Sequence, residues 1–67
     1  NQDAAKRLVK RIYNVCFNIE VFPLAGRAGD VDGTREFVIP KTKYILVYKV
    51  TIRKIIILAV YHTARNR

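Results

Sequence analysis

The residues able to do chemistry are few and scattered along the chain. One histidine, His62, follows the longest fully apolar stretch, Ile55 to Tyr61, and a basic tail carrying Arg65 and Arg67 comes after it. Arg35 and Glu36 stand side by side in Gly33-Thr34-Arg35-Glu36, and Arg27 closes the triplet Ala25-Gly26-Arg27. Cys16 is the single cysteine. One cysteine forms no internal disulfide, and one cysteine with one histidine does not supply a structural zinc site. Cys16 lacks the basic neighbour that would hold a thiolate ready for attack, so it reads as an inert thiol on an apolar face. His62 reads either as a proton-transfer group or as a strand-end histidine satisfied by a backbone carbonyl. Arg35 reads as a contact to phosphate or to a partner, or else as half of an ion pair with Glu36, Asp30 or Asp32. Arg27 reads as a residue that positions its loop.

The elements that must hold these residues follow from periodicity. Ala5, Leu8, Ile12, Cys16 and Ile19 recur at spacings of three and four, which predicts a helix from Asp3 to about Glu20, with Asp3 as its N-cap. Lys6, Arg7, Lys10 and Arg11 fall mostly off that face and read as its solvated side. Pro23 and the cluster Gly26, Gly29, Asp30, Asp32, Gly33 mark a loop. A strand is expected from Thr34 to Ile39, stopped by Pro40, with two more from Tyr44 to Val50 and from Lys54 to Tyr61. The short link around Thr51, Ile52 and Arg53 predicts an antiparallel hairpin, although it lacks the Asn-Gly or Asp-Gly signature. Tyr44, Leu46, Tyr48 and Val50 share one strand face, which predicts core packing with the tyrosine hydroxyls at its edge. In the last strand Ile55, Ile57 and Ala59 alternate with Ile56, Leu58 and Val60, so both faces are apolar. One helix covers one face only, so the other requires a missing N-terminal segment or a partner chain.

Length and charge bound the class. At 67 residues the chain is one small domain with a marginal core. Half of its residues are apolar, which suits a globular core and not a disordered tail. Thirteen Lys and Arg oppose five acids, a formal charge of +8 that predicts attraction to polyanions or to an acidic protein. No run approaches the roughly 20 apolar residues of a membrane span, and the polar start does not resemble a signal peptide, so a cytoplasmic protein is expected. Asn1 is not a natural initiator, which suggests that sequence upstream has been removed.

Five local sequences occur in order: "AAKRLVKRI", "FPLAGR", "GTREFVI", "YILVYKV" and "IILAVYHTARNR". Together they resemble the ParE/RelE superfamily of toxins from type II toxin–antitoxin systems, over nearly the whole chain. The resemblance implies an α+β, RelE-like fold in which one amphipathic helix, the remnant of a helical hairpin, packs on a three-stranded antiparallel sheet. It begins only at the second helix of the family pattern, so residues 1–67 are expected to be a single toxin domain truncated at its N-terminus. The resemblance also implies neutralisation by a cognate antitoxin, typically acidic, and no metal or organic cofactor.

Members of the superfamily divide by target. ParE-like toxins act on DNA gyrase and block replication, whereas RelE-like toxins cut messenger RNA on the ribosome. Cleavage requires a base for the 2′-hydroxyl, an acid for the leaving oxygen and cations for the phosphate. The candidates would be His62 or Glu36 for proton transfer, Arg35, Arg65 and Arg27 for charge, and Tyr61 for stacking or proton donation. Contacts to a target or antitoxin are expected of Arg27, Arg35, His62, Arg65 and Arg67. The "GTREFVI" and "ILAVYHTARNR" segments look more like the gyrase-directed branch, and the strands lack clustered Lys and Arg for a scissile phosphate. A third alternative is a non-toxic basic nucleic-acid-binding module. Such a module calls for aromatic and basic residues interleaved on an exposed sheet face, and these strand faces are aliphatic.

Overall fold

The computed structural model describes residues 2–64 as one helix followed by a four-stranded antiparallel sheet. Helix α1 spans Gln2–Val21, and strands β1 to β4 span Arg27–Ala28, Arg35–Val38, Tyr44–Val50 and Ile55–His62. They lie side by side in the order β1-β2-β3-β4, each antiparallel to its neighbour. The α+β architecture expected from the sequence is thus present, with one strand more than the three expected. The additional strand, β1, is two residues long and pairs Arg27 with Glu36 and Ala28 with Arg35. Its brevity hides it from any periodicity argument, since two residues carry no alternation.

The helix opens at Gln2, so Asp3 sits inside the first turn instead of capping it. There its negative charge faces the positive end of the helix dipole. Past Val21, Phe22 still donates to the Asn18 carbonyl, and Ala25 then donates to Phe22 in a turn around Pro23. A proline lacks the N–H that would carry a helix onward.

Helix and sheet meet along the C-terminal half of α1. Val15 and Ile19 are buried against Ile39, Leu46 and Tyr48, with Ile12, Cys16, Phe37, Tyr44, Val50 and Ile55 packed around them. Each fully buried aliphatic side chain contributes about 1.5–3 kcal/mol. Val15, three residues after Ile12 and four before Ile19, also belongs to this face, and Ala5, expected on it, is exposed. The sheet supports the helix only from about Leu8 onward, so its first turns overhang.

Strand β4 departs from strict alternation. Val47 pairs with Ala59 while the next residue, Tyr48, pairs with Ile57, leaving Leu58 as an extra residue in a bulge. Register across β3 therefore places Ile55, Ile57, Val60 and His62 on the helix side and Ile56, Ala59 and Tyr61 on the other. This corrects the expected grouping of Ile55, Ile57 and Ala59, because a bulge shifts the side-chain phase by one residue. β4 is left partly uncovered, but not on the face expected. Ile57 and Val60, on the helix side, are 42% and 36% exposed and Leu58 in the bulge is 51% exposed, while Ile56 on the far face is half-buried.

Candidate functional site

The loop joining α1 to β1 is held by two side chains that point into it from the sheet. Tyr48 is fully buried, and its hydroxyl donates to the Pro23 carbonyl at 2.8 Å while accepting the Gly26 amide at 2.8 Å. The Arg35 guanidinium Nη1 donates to the Gly26 carbonyl at 2.7 Å and, more weakly, to the Leu24 carbonyl at 3.4 Å. Backbone groups without a helix or ladder partner must find one elsewhere, and here a phenol and a guanidinium supply it. A Cβ on Gly26 would lie 2.7 Å from the Tyr48 oxygen, so only glycine admits the approach. The tyrosine hydroxyl is therefore not at the edge of the core, as expected, but locks the loop from within it. A tyrosine among apolar strand residues must pair its hydroxyl, but nothing in the residue types says that the partners are the Pro23 carbonyl and the Gly26 amide.

Arg35 accordingly pairs with none of the three acids expected for it, Glu36, Asp30 and Asp32. The acid beside it, Glu36, instead meets Arg27 across the β1–β2 ladder, with Nη2 to Oε1 at 3.2 Å. The Arg27 side chain is 68% exposed, so the pair adds at most about 1 kcal/mol. Arg27 therefore makes an exposed cross-strand pair, keeps most of its guanidinium in solvent, and is not one of the two side chains that hold the loop.

His62 stands at the far end of the sheet. Its ring meets Tyr44 edge to face at a centroid distance of 5.0 Å, and its Nδ1 accepts the Ala64 amide at 3.1 Å. Arg35 pairs with Tyr48 and His62 with Tyr44, so the two are four residues apart along β3, roughly 13 Å, and on different strands. Glu36 and Tyr61 face away from the helix, whereas His62 and Arg35 face it. The structure therefore brings Arg27 and Glu36 together and His62 and Tyr44 together, and does not bring His62, Glu36 and Arg35 to one point. Arg65 and Arg67 lie outside the described residues.

The remaining reactive group is Cys16. It is half-buried on α1, and its thiol is pushed above its ordinary value of 9.0, first by burial and second by the charge of Glu20. Both effects favour the protonated thiol at neutral pH, and a thiol is a far weaker nucleophile than a thiolate. Among the described residues no group of three or more His, Cys, Asp or Glu could hold a metal ion, and no helix is long and apolar enough to cross a membrane.

Comparison with known proteins adds two findings. Residues 1–67 match the family described as the ParE toxin of the type II toxin–antitoxin system parDE. The chain is also 38% identical over 60 residues to a protein of Sinorhizobium fredii (strain NBRC 101917 / NGR234) named "Putative toxin Y4kP". That alignment covers 90% of this chain and 62% of the relative, so the chain spans under two thirds of the relative's length. No solved structure gives a significant match.

Proposed function

The chain belongs to the ParE toxin family of type II toxin–antitoxin systems, and we propose that it acts as the gyrase-directed toxin of such a pair, neutralised by a cognate acidic antitoxin. The observation that carries the choice of target is the dispersal of the groups an RNA-cutting toxin would need. Glu36 is engaged with Arg27 on one sheet face, His62 lies on the opposite face at the other end, and Arg35 is spent on the loop carbonyls. General acid–base cleavage requires its proton donors and acceptors within hydrogen-bond reach of one phosphate. An inhibitor that works by docking on a protein target has no such requirement and needs only a shaped surface. The sheet face turned away from the helix, with Ile45, Val47, Ile56, Ala59 and Tyr61, carries Lys49 as its one cation on β3 and β4. That sparse charge favours a protein contact over a scissile phosphate.

An acidic antitoxin suits a chain of formal charge +8, because opposite charge raises association rate and suppresses wrong partners. Among the described candidate contact residues Arg27 is exposed and His62 half-buried, while Arg35 is committed to the loop.

The reading is tested by inducing the full-length gene with and without its neighbouring gene, while following growth and message integrity. Arrest that the neighbour relieves, with translated messages intact, is the expected result. Messages cut at the ribosome, with cutting abolished by His62→Ala or Arg65→Ala, would assign the chain to the messenger-cutting branch instead. Growth unaffected by induction would leave a non-toxic member of the family.

A further inference from the structure

The overhanging first turns of α1 and the turn between β2 and β3 enclose an open cleft of about 470 Å³. Its walls include Arg7, Leu8 and Arg11 from the helix and Lys41, Thr42 and Tyr44 from the turn and the start of β3. No acid lines it; Asp3, one helical turn ahead of Arg7, is the nearest along the helix. Arg7 and Arg11 are four residues apart, so they project side by side from one helix face. Neither they nor Lys41 has a hydrogen-bond or ion-pair partner among the described residues. Three unpaired cations from two separate elements thus surround one cavity. Sequence position conceals this, because Lys41 is thirty residues from Arg11.

The backbone at Lys41 sharpens the picture. Thr42 donates its amide to the Ile39 carbonyl at 3.2 Å, closing a four-residue turn with Pro40 second and Lys41 third. Lys41 has φ +64°, the left-handed conformation that the third position of such a turn reserves for glycine or asparagine. It is the one non-glycine residue with positive φ among the described residues. A glycine there would be less strained and carries no charge. The lysine is held in an unfavourable backbone conformation at the wall of the cleft that Arg7 and Arg11 also line, and strain of this kind collects at functional positions.

We propose that this cleft binds the phosphate backbone of duplex DNA. Guanidinium groups are suited to phosphate by their forked donors, and a lysine adds a point charge beside them. The lining favours phosphates over an acidic peptide, because peptide recognition adds separate apolar pockets for alternate side chains and here the apolar lining is one patch of Leu8, two alanines and the Tyr44 ring. The chain's exposed apolar residues lie elsewhere, along Val9, Tyr13 and Phe17 and on β4. Duplex is favoured over a single strand because the cleft offers no free aromatic face on which bases could stack: its Tyr44 is half-buried against His62. The contact is sequence-independent, since phosphates carry no sequence information directly. It does not depend on the gyrase assignment, and it is read on a different quantity.

The test is fluorescence anisotropy of a labelled random-sequence duplex with the full-length protein at several salt concentrations. Lys41→Gly is the informative variant, because it removes the charge and relieves the turn, so its melting temperature should match or exceed that of the parent. Arg7→Gln with Arg11→Gln removes the other wall, and Arg53→Gln, exposed in the β3–β4 turn and outside the cleft, is the control. Each lost phosphate contact should lower the slope of log K against log salt by about 0.9 and weaken binding several-fold at low salt. The control should leave both unchanged. Equal losses in cleft and control variants would reduce the interaction to diffuse surface charge and overturn the proposal. So would tighter binding of single-stranded RNA than of duplex, or cleft variants that lose an acidic antitoxin peptide while retaining DNA.

Discussion

Single residues in this chain are committed to structure more than to chemistry. The Tyr48 hydroxyl is buried with two backbone partners, Pro23 O and Gly26 N, and removing it leaves both unpaired. Tyr48→Phe should therefore cost about 1–3 kcal/mol, lowering the melting temperature by roughly 5–15 °C in calorimetry of the full-length protein. Gly26→Ala should be at least as damaging, since its methyl group would collide with the same oxygen. Cys16 gives a pH signature. Its folded-state value is raised, so the fold favours the protonated thiol, and that contribution is complete below the unfolded value. It is lost as pH climbs through the raised folded value, which predicts weakened stability on the alkaline side of about pH 9 and slow alkylation at neutral pH. Cys16→Ala should flatten the alkaline limb of the stability profile, as followed by denaturant titration between pH 7 and 10. Cys16 was legible from the sequence because its apolar spacing and its lack of a basic neighbour are both local facts. The roles of Arg35 and Tyr48 were not, because their partners are loop carbonyls and an amide that no residue type announces.

At the scale of elements, most of the order was legible and the exceptions have physical causes. The long helix and the two longer strands declared themselves by period, since each repeats its pattern over several residues. β1 did not, being two residues long. The bulge at Leu58 did not either, because a doubly apolar strand offers no polar residue to mark which face it has shifted to. The β3–β4 hairpin closes without an Asn-Gly pair through Thr51. Its amide donates to the Lys54 carbonyl at 2.9 Å, while its hydroxyl accepts the Lys54 amide at 3.1 Å and donates to the Lys54 carbonyl at 3.0 Å. The hydroxyl thus mimics a tighter turn. Thr51→Ala should destabilise by about 1 kcal/mol, seen as a downward shift in denaturant midpoint with an unchanged slope. Thr51→Ser should recover most of that loss.

The molecule as a whole has more apolar surface than one helix on one sheet can cover. Val9, Tyr13 and Phe17 form a second apolar row on α1, 50–71% exposed, and β4 presents Ile57, Leu58 and Val60 beside a free sheet edge. Open apolar edges template association. Residues 1–67 alone should self-associate at high concentration, and sedimentation velocity should show species larger than a monomer. A dispersed monomer would contradict the need for cover that the doubly apolar β4 implies. The family was legible from five short segments in order, but the target was not, because target choice rests on which side chains converge in space. His62 and Glu36 look alike as candidates in the sequence, and only the sheet register sets them on opposite faces.

The central claim, a toxin aimed at gyrase, is most directly tested by incubating the purified full-length protein with gyrase and supercoiled DNA and then denaturing the mixture. Linear DNA released from trapped gyrase complexes, and lost when the antitoxin is added first, is the predicted result. Untouched supercoiled DNA, together with messages cleaved on translating ribosomes, would contradict it.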